Sequence, residues 1–188
     1  MYFMRLNGGI FITVMVVFLM LCTAGFAKEE EAKTAPKNMT TDQTDRRFIG
    51  TWILVTSEFR TSAGKVTYPL GEKAVGILIY DTGGRMAAQL MRPDRPKFAS
   101  GDMRGGTPEE NKAAVEGYVA YFGRYEVNSI NGTIVLHVEA SLFPNWLGQD
   151  QVRSFEFSAD AGTLTLKTLS LLSGGQEMTG VLVWKRLG

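Results

Sequence analysis

A histidine and a glutamate stand two residues apart in the segment TIVLHVEA, which covers residues 133–140. His137 is the only histidine in the chain, and Glu139 follows it at the spacing that puts two side chains on one face of a β-strand. An imidazole beside a carboxylate can act as a general acid or base when both line a confined pocket. On a solvated strand face the same pair contributes little to stability. The direction in which this strand faces therefore decides whether the pair can do chemistry.

A turn signal before the segment predicts the residues that lie across from it. Asn131-Gly132 is typical of a two-residue type I′ hairpin turn, which would place Glu126 opposite His137 and Arg124 opposite Glu139. All four side chains then share one strand face, and the other face is apolar. Ordinary alternation would turn the apolar face inward and leave the charges in water, whereas a polar cavity would reverse this. Both interpretations are open at this point.

The segments that must position these residues are strands. Turn-forming Gly, Asp, Asn and Ser clusters separate eight runs of strand-like sequence: 51–60, 76–80, 85–91, 122–130, 133–140, 151–157, 163–169 and 178–186. Hairpin spacing predicts an all-β, antiparallel sheet, and closure into a barrel would remove its exposed edges. One helix is predicted from a Thr107 N-cap and Pro108 to about Tyr118, near a barrel mouth, beside a long loop at 92–106.

Both ends of this region resemble a known family. Gly50-Thr51-Trp52 resembles the Gly-x-Trp signature of lipocalins, and Val183-Trp184-Lys185-Arg186 resembles their last strand, where a basic residue covers that tryptophan. Three internal segments make the chain similar to the lipocalin-like domain family of bacterial and fungal proteins: GILIY at 76–80, YFGRYEV at 121–127, and His137-Val138-Glu139 with Pro144-Asn145-Trp146. The resemblance covers about residues 48–186. It implies an eight-stranded calycin-type barrel with a ligand-sized cavity, and it supplies no reaction.

The resemblance also affects how the strand face with the four charged side chains is interpreted. The lipocalin tryptophan points into the barrel floor, and if Trp52 does so, period two turns Leu54, Thr56, Glu58 and Arg60 inward as well. An interior of that kind is polar. It could then hold Arg124, Glu126, His137 and Glu139 as a mutually hydrogen-bonded network around a ligand headgroup. The family typically has a histidine pair where this chain has Leu136-His137, which weakens any role that needs two imidazoles.

Three further residues are candidate ligand contacts. Arg153 is either an inward anion clamp or a solvated strand residue, and Tyr125 belongs either to an aromatic lip or to the core. Trp146 follows a Pro144-Asn145 corner and is expected over the barrel end. The sequence contains no serine elbow, zinc ligand set or phosphate loop, so we expect neither a metal nor a cofactor.

The first 45 residues differ in composition from the rest. Residues 1–27 have one charge at Arg5, an apolar run and small residues before Lys28, which predicts a cleaved signal peptide; an uncleaved N-terminal membrane anchor is the alternative. Residues 28–45 are a polar, disordered linker by composition, and 46–188 form one domain. We expect a secreted or periplasmic monomer without a membrane span in its mature form. The 20 Lys and Arg less Arg5 leave 19, equal to the 19 Asp and Glu, so nothing favours nucleic acid as a partner.

Two functional classes fit these observations. The first is a binding protein that holds one small apolar or amphipathic molecule in its barrel. The second is an isomerase, cyclase or hydrolase acting on a lipid-like or polyketide-like substrate, with His137 and Glu126 or Glu139 as acid and base. The sequence alone leaves both open.

Overall fold

The structure is a computed structural model, and it describes residues 45–188 with the exception of Gly174. The predicted signal peptide at 1–27 and all but the last residue of the predicted linker at 28–45 lie outside the described residues. Within 45–188, no helix combines the length and the hydropathy of a membrane span.

Ten strands and two short helices make up the described region. The strands are β1 Gly50–Thr61, β2 Val66–Thr67, β3 Val75–Tyr80, β4 Arg85–Met91, β5 Tyr118–Asn128, β6 Thr133–Ser141, β7 Asp150–Phe157, β8 Thr163–Thr168, β9 Leu171–Ser173 and β10 Gln176–Arg186. An α-helix, α1, spans Pro108–Glu116, and a 3-10 turn spans Pro144–Trp146. All eight predicted strands are present; β2 and β9 are short additions that the sequence patterns did not predict.

The eight long strands close into an antiparallel barrel. Neighbours follow the order β1-β3-β4-β5-β6-β7-β8-β10, and β10 pairs back onto β1, with Trp52 opposite Arg186. The short strands β2 and β9 extend the free edges of β1 and β10 at one end of the barrel. The predicted all-β, eight-stranded barrel is therefore confirmed.

One end of the barrel is packed shut by aromatic side chains. Phe48 is fully buried and makes perpendicular ring contacts with Tyr80, Phe155 and Phe157, at centroid distances of 5.3, 4.9 and 4.9 Å. The Trp52 indole N–H donates to the Phe48 carbonyl oxygen at 2.8 Å. These contacts make a closed floor, and they leave the opposite end as the place for any cavity.

The first strand changes face in its middle, which corrects one expectation. The register of β1 against β10 shifts between Leu54 and Thr56, so that Val55 forms a bulge. Beyond the bulge Ser57 lies opposite Leu182 and faces inward, and Glu58 turns outward. The prediction that Thr56, Glu58 and Arg60 face inward is wrong because an extra residue reverses the alternation of side chains.

The β5–β6 hairpin also differs from its predicted register. Asn128 pairs with Thr133, which leaves a four-residue turn in place of the two-residue turn. The Asn128 side chain accepts a hydrogen bond from the Asn131 N–H at 3.0 Å, an Asx-type turn that stabilises the longer loop. Arg124 therefore lies opposite His137, and the predicted pairing of Glu126 with His137 is wrong. A shift of two residues keeps each side chain on its predicted face.

The α-helix begins where the sequence predicted. The Thr107 hydroxyl accepts from the Glu110 N–H, and the Glu110 carboxylate accepts from the Thr107 N–H, which is a complete capping box. Gly117 caps the other end, so the helix stops short of Tyr118, where β5 begins. Val115 and Glu116 at the end of the helix line the cavity mouth, as a helix near a barrel mouth should.

Candidate ligand cavity

A cavity of about 420 Å³ opens at the end of the barrel opposite the Trp52 floor. Its walls come from the ends of strands that are remote from that floor, including Ser57 and Phe59 of β1 and Leu90 of β4. The bulge in β1 is the reason that Ser57 and Phe59 reach this wall. The volume lies in the range of about 300–1,000 Å³ that small-molecule pockets occupy.

The cavity is mainly apolar, with an aromatic rim. Tyr121 and Trp146 meet at a right angle with ring centroids 5.5 Å apart, and Phe143 packs against Trp146 at 5.7 Å. Leu90 and Leu182 form part of the deeper wall. The predicted position of Trp146 over the barrel end is confirmed, and such a rim suits a flat or branched apolar group.

Arg153 is buried in the wall of this cavity. It is 6% exposed and lies on the inner face of β7, between Ile134 of β6 and Thr168 of β8. Its guanidinium donates to the Val152 carbonyl at 2.9 Å and to the Gln151 side-chain oxygen at 3.3 Å. Among residues 45–188 other than Gly174, no carboxylate forms an ion pair with it. Of its two predicted settings, Arg153 adopts the inward one.

The pKa values of two tyrosine hydroxyls are affected by the buried Arg153. Burial raises the pKa of the Tyr121 hydroxyl, and the neighbouring Arg153 opposes that rise by its charge and by hydrogen bonding. Burial also raises the pKa of Tyr80 well above its ordinary value, with Arg153 again acting in the opposite direction. Within the described part of the chain, the buried Tyr80 hydroxyl has no hydrogen-bond partner. The barrel interior at Arg153 is therefore polar, positive and rich in hydroxyl groups.

Tyr125 belongs to the core instead of the cavity wall. It is 3% exposed, its ring meets Tyr80 edge to face at 4.7 Å, and its hydroxyl donates to the Asp81 carbonyl at 2.9 Å. Burial, with a smaller contribution from Asp81, raises the Tyr125 pKa to about 12. Of the two settings weighed from the sequence, the core setting is the one observed.

The charged residues of the β5–β6 hairpin lie on the outer face of the barrel. Glu139 binds Arg85 at 2.6 Å and Arg124 at 3.2 Å, and Arg85 and then Arg124 hold the Glu139 pKa below its ordinary value. The His137 Nδ1 lies 2.7 Å from an Asp150 carboxylate oxygen. These contacts run along the surface, and the inner face of the hairpin is apolar.

The fourth member of the set, Glu126, is also outside, with its carboxylate 3.6 Å from the His137 Nε2. None of Arg124, Glu126, His137 and Glu139 is among the described residues that line the cavity. The structure thus brings Arg153 and Trp146 to the cavity but keeps these four apart from it. An acid–base pair built on His137 would face a molecule on the outer surface.

Several lining residues were not identified from the sequence. Thr168 continues the period-two pattern of the buried core residues Leu164 and Leu166 on β8, so its inner position could have been inferred once the faces were known. Ser57 and Phe59 could not, because the bulge that turns them inward has no local signature such as a glycine. Phe143 stands in the corner before Pro144, where period two does not apply.

A closed antiparallel barrel with a floor tryptophan, a covering arginine and an open cavity is the architecture of lipocalin-type domains. The lipocalin-like domain model matches residues 49–187, and the chain belongs to that family. A curated relative, the 4'-hydroxy-3'-methoxypropiophenone carrier protein of Aspergillus oryzae, is 35% identical over 109 residues. The match covers 54% of this chain and 96% of the relative.

Proposed function

We propose that this protein is a carrier that holds one small amphipathic molecule in the barrel cavity. The observation that carries the proposal is the cavity of about 420 Å³ with an apolar wall and one buried arginine. Wall and arginine together suit a molecule with an apolar body and a polar end. The similarity to a fungal carrier protein supports the same class of function.

The apolar wall would supply most of the affinity. Burying about 150 Å² of apolar ligand surface contributes about 4 kcal/mol at about 25 cal/mol per Å². The perpendicular Tyr121–Trp146 pair offers both a ring face and a ring edge to an aromatic ligand. Arg153 would then fix the orientation, because its side chain is the one basic group among the described lining residues.

The name of the fungal relative supplies a first ligand class to test. Its cargo, 4'-hydroxy-3'-methoxypropiophenone, is an aromatic ketone that bears a phenol. In this chain we propose that such a ring would pack at Tyr121 and Trp146 and direct an oxygen toward Arg153. Small aromatic ketones and phenols are therefore the first compounds to titrate.

We further propose that the carrier acts outside the cytoplasm as a monomer. The support for export is the apolar run at 10–21 with small residues at 25 and 27, followed by a polar stretch. Intact-mass analysis of protein recovered from an exporting host tests this. A product that begins near Lys28 agrees with a cleaved signal peptide, whereas retention of residues 1–27 agrees with the membrane-anchored alternative.

Binding in the cavity is tested by native mass spectrometry and by titration of the purified protein with the ketone named above. We expect a one-to-one complex. Leu182→Trp, which fills the cavity wall, should abolish it. Val181→Trp is the matched control, because the next residue on the same strand faces outward and should leave binding intact. Equal binding by both variants would contradict the proposal.

A further inference from the structure

We infer that the polar end of the ligand is an acidic group, a carboxylate or another monoanionic oxygen acid, which binds Arg153 in its ionised form. This inference rests on the proposed function and narrows it. It goes beyond a cavity for amphipathic molecules because it fixes the charge of the ligand and the residue that recognises it.

The first argument is the missing counter-charge. Burial of an arginine is costly unless a negative group compensates its charge, and the protein groups that accept hydrogen bonds from Arg153 are neutral: a backbone carbonyl, the Gln151 amide and the Tyr121 hydroxyl. These three neutral acceptors are fewer than the five N–H donors that a guanidinium carries. The charge and the remaining donors are left for a ligand, and a carboxylate fits a guanidinium in a two-point arrangement.

The second argument is the position of the nearby carboxylates. Among the described lining residues Glu116 is the one acid; it stands at the mouth at the end of α1 and pairs with Lys112. Glu58 is buried but faces outward, where it binds the Arg60 Nε at 2.7 Å. No acidic side chain of the described chain therefore competes with a ligand for Arg153, and the inner cavity keeps a positive charge.

The third argument is the supply of hydroxyl groups around the cation. Thr168, directly across from Arg153, uses its oxygen to accept from the Gly180 N–H at 2.8 Å, so its own O–H is free to donate. Burial keeps the Tyr121 hydroxyl protonated, and it therefore remains a donor beside Arg153. An anion at Arg153 would have hydrogen-bond donors on more than one side, whereas a second cation would be repelled by the guanidinium charge.

A neutral carbonyl oxygen is the alternative partner. It could accept one hydrogen bond from Arg153, but it would leave the buried positive charge uncompensated. The two cases differ in a measurable way, because only an anionic ligand gains affinity from the charge itself.

The test uses two fluorescent probes that share one aromatic frame. Anilinonaphthalene sulfonate is anionic, and phenylnaphthylamine lacks only the sulfonate. We titrate both into the purified protein, Arg153→Met and Lys167→Met; Lys167 is exposed on the outer face of β8, so its loss removes the same charge without touching the cavity. The readout is the ratio of the two dissociation constants in each protein.

We expect Arg153→Met to shift this ratio against the anion by about 10- to 100-fold, as loss of a charge-assisted hydrogen bond does, and Lys167→Met to leave it unchanged. A ratio that is the same in Arg153→Met and the wild type would overturn the inference while leaving the carrier function standing, because the neutral probe still binds. Failure of both probes to bind the wild type would contradict the proposed function and the inference together.

A competition experiment covers the case in which Arg153→Met does not fold. Phenylbutanoate and phenylbutanamide differ in the charge of one end group, and each is used to displace the anionic probe from the wild-type protein. Displacement by the carboxylate at concentrations at least tenfold below those of the amide supports the inference, a margin of about 1.4 kcal/mol. Equal displacement by the two compounds overturns it.

Discussion

The guanidinium of Arg186 lies 4.2 Å above the ring of Trp52, and the same two residues face each other across the β1–β10 seam that closes the barrel. Arg186 also donates to the Ile49 carbonyl at 2.7 Å. One arginine therefore joins the first strand, the last strand and the segment before the barrel. The floor of the barrel and its closing seam are consequently a single structural unit.

Removing the floor tryptophan should destabilise this unit strongly. We expect Trp52→Ala to lower the free energy of unfolding by about 3–5 kcal/mol, because a large buried ring leaves a cavity and Arg186 loses its stacking partner. Urea unfolding measures the effect. Ile53→Ala, on the outer face of the same strand, is the control and should cost well under half as much; similar losses at the two positions would show that the floor is not a special site.

Arg153 should contribute to binding more than to folding. Because it is buried without a carboxylate partner in the described chain, Arg153→Met should leave the free energy of unfolding unchanged or raise it by about 1–4 kcal/mol, as replacement of buried charges often does. Thermal unfolding of ligand-free protein, beside Lys167→Met, provides the measurement. A marked loss of stability in Arg153→Met alone would mean that the arginine holds the fold together.

His137 lies on the outer face of the barrel, so its removal should have little effect on either stability or ligand binding. Its contacts with Asp150 and Glu126 are partly exposed, so His137→Ala should change the free energy of unfolding by less than about 1 kcal/mol. The affinity for a cavity ligand should be the same as in Lys167→Ala. A selective fall in ligand affinity for His137→Ala would instead support the polar-pocket interpretation of this strand.

Tyr125 should make stability depend on alkaline pH. Its pKa is raised from 10.0 to about 12 in the folded protein, so the folded state holds the phenol proton more tightly than the unfolded state does. This contribution is fully present below the unfolded pKa of 10.0 and is lost as the pH rises to about 12. Unfolding measured across this range should show a shallower pH dependence for Tyr125→Phe than for the wild type. Identical slopes would indicate that Tyr125 ionises freely in the fold.

The strands could be predicted because turn residues mark their ends, and the family because Gly50-Thr51-Trp52 and the closing strand match it. The direction in which side chains point was harder to predict from the sequence. One bulge at Val55 and another between Phe122 and Gly123 each reverse the alternation, and at the first of them Val55 is an ordinary strand former. At Gly123 the reason is close backbone approach, since a Cβ atom would lie 1.9 Å from the His137 carbonyl oxygen.

Locating the site from the sequence required knowing which strand faces point into the barrel. Arg153 shares a strand face with Phe155 and Phe157. Because aromatic residues favour the interior, an inward-facing Arg153 was one of the two settings predicted from the sequence. The four hairpin charges were placed together on one face, but nothing in their spacing states which side of the sheet is the interior. That information lies in the closure of β10 onto β1, a contact between residues more than a hundred positions apart.

The bulge at Val55 also determines whether the wall of the binding chamber contains a carboxylate. If Val55 instead paired with Val183, simple alternation would continue and the later residues of β1 would each move one position along β10, so that Glu58 would face inward opposite Gly180 and Ser57 would face outward. A carboxylate would then enter the same chamber as Arg153 and neutralise it internally. One extra backbone unit thus separates a cavity that attracts anions from one that would be self-compensated and indifferent to the charge of its contents.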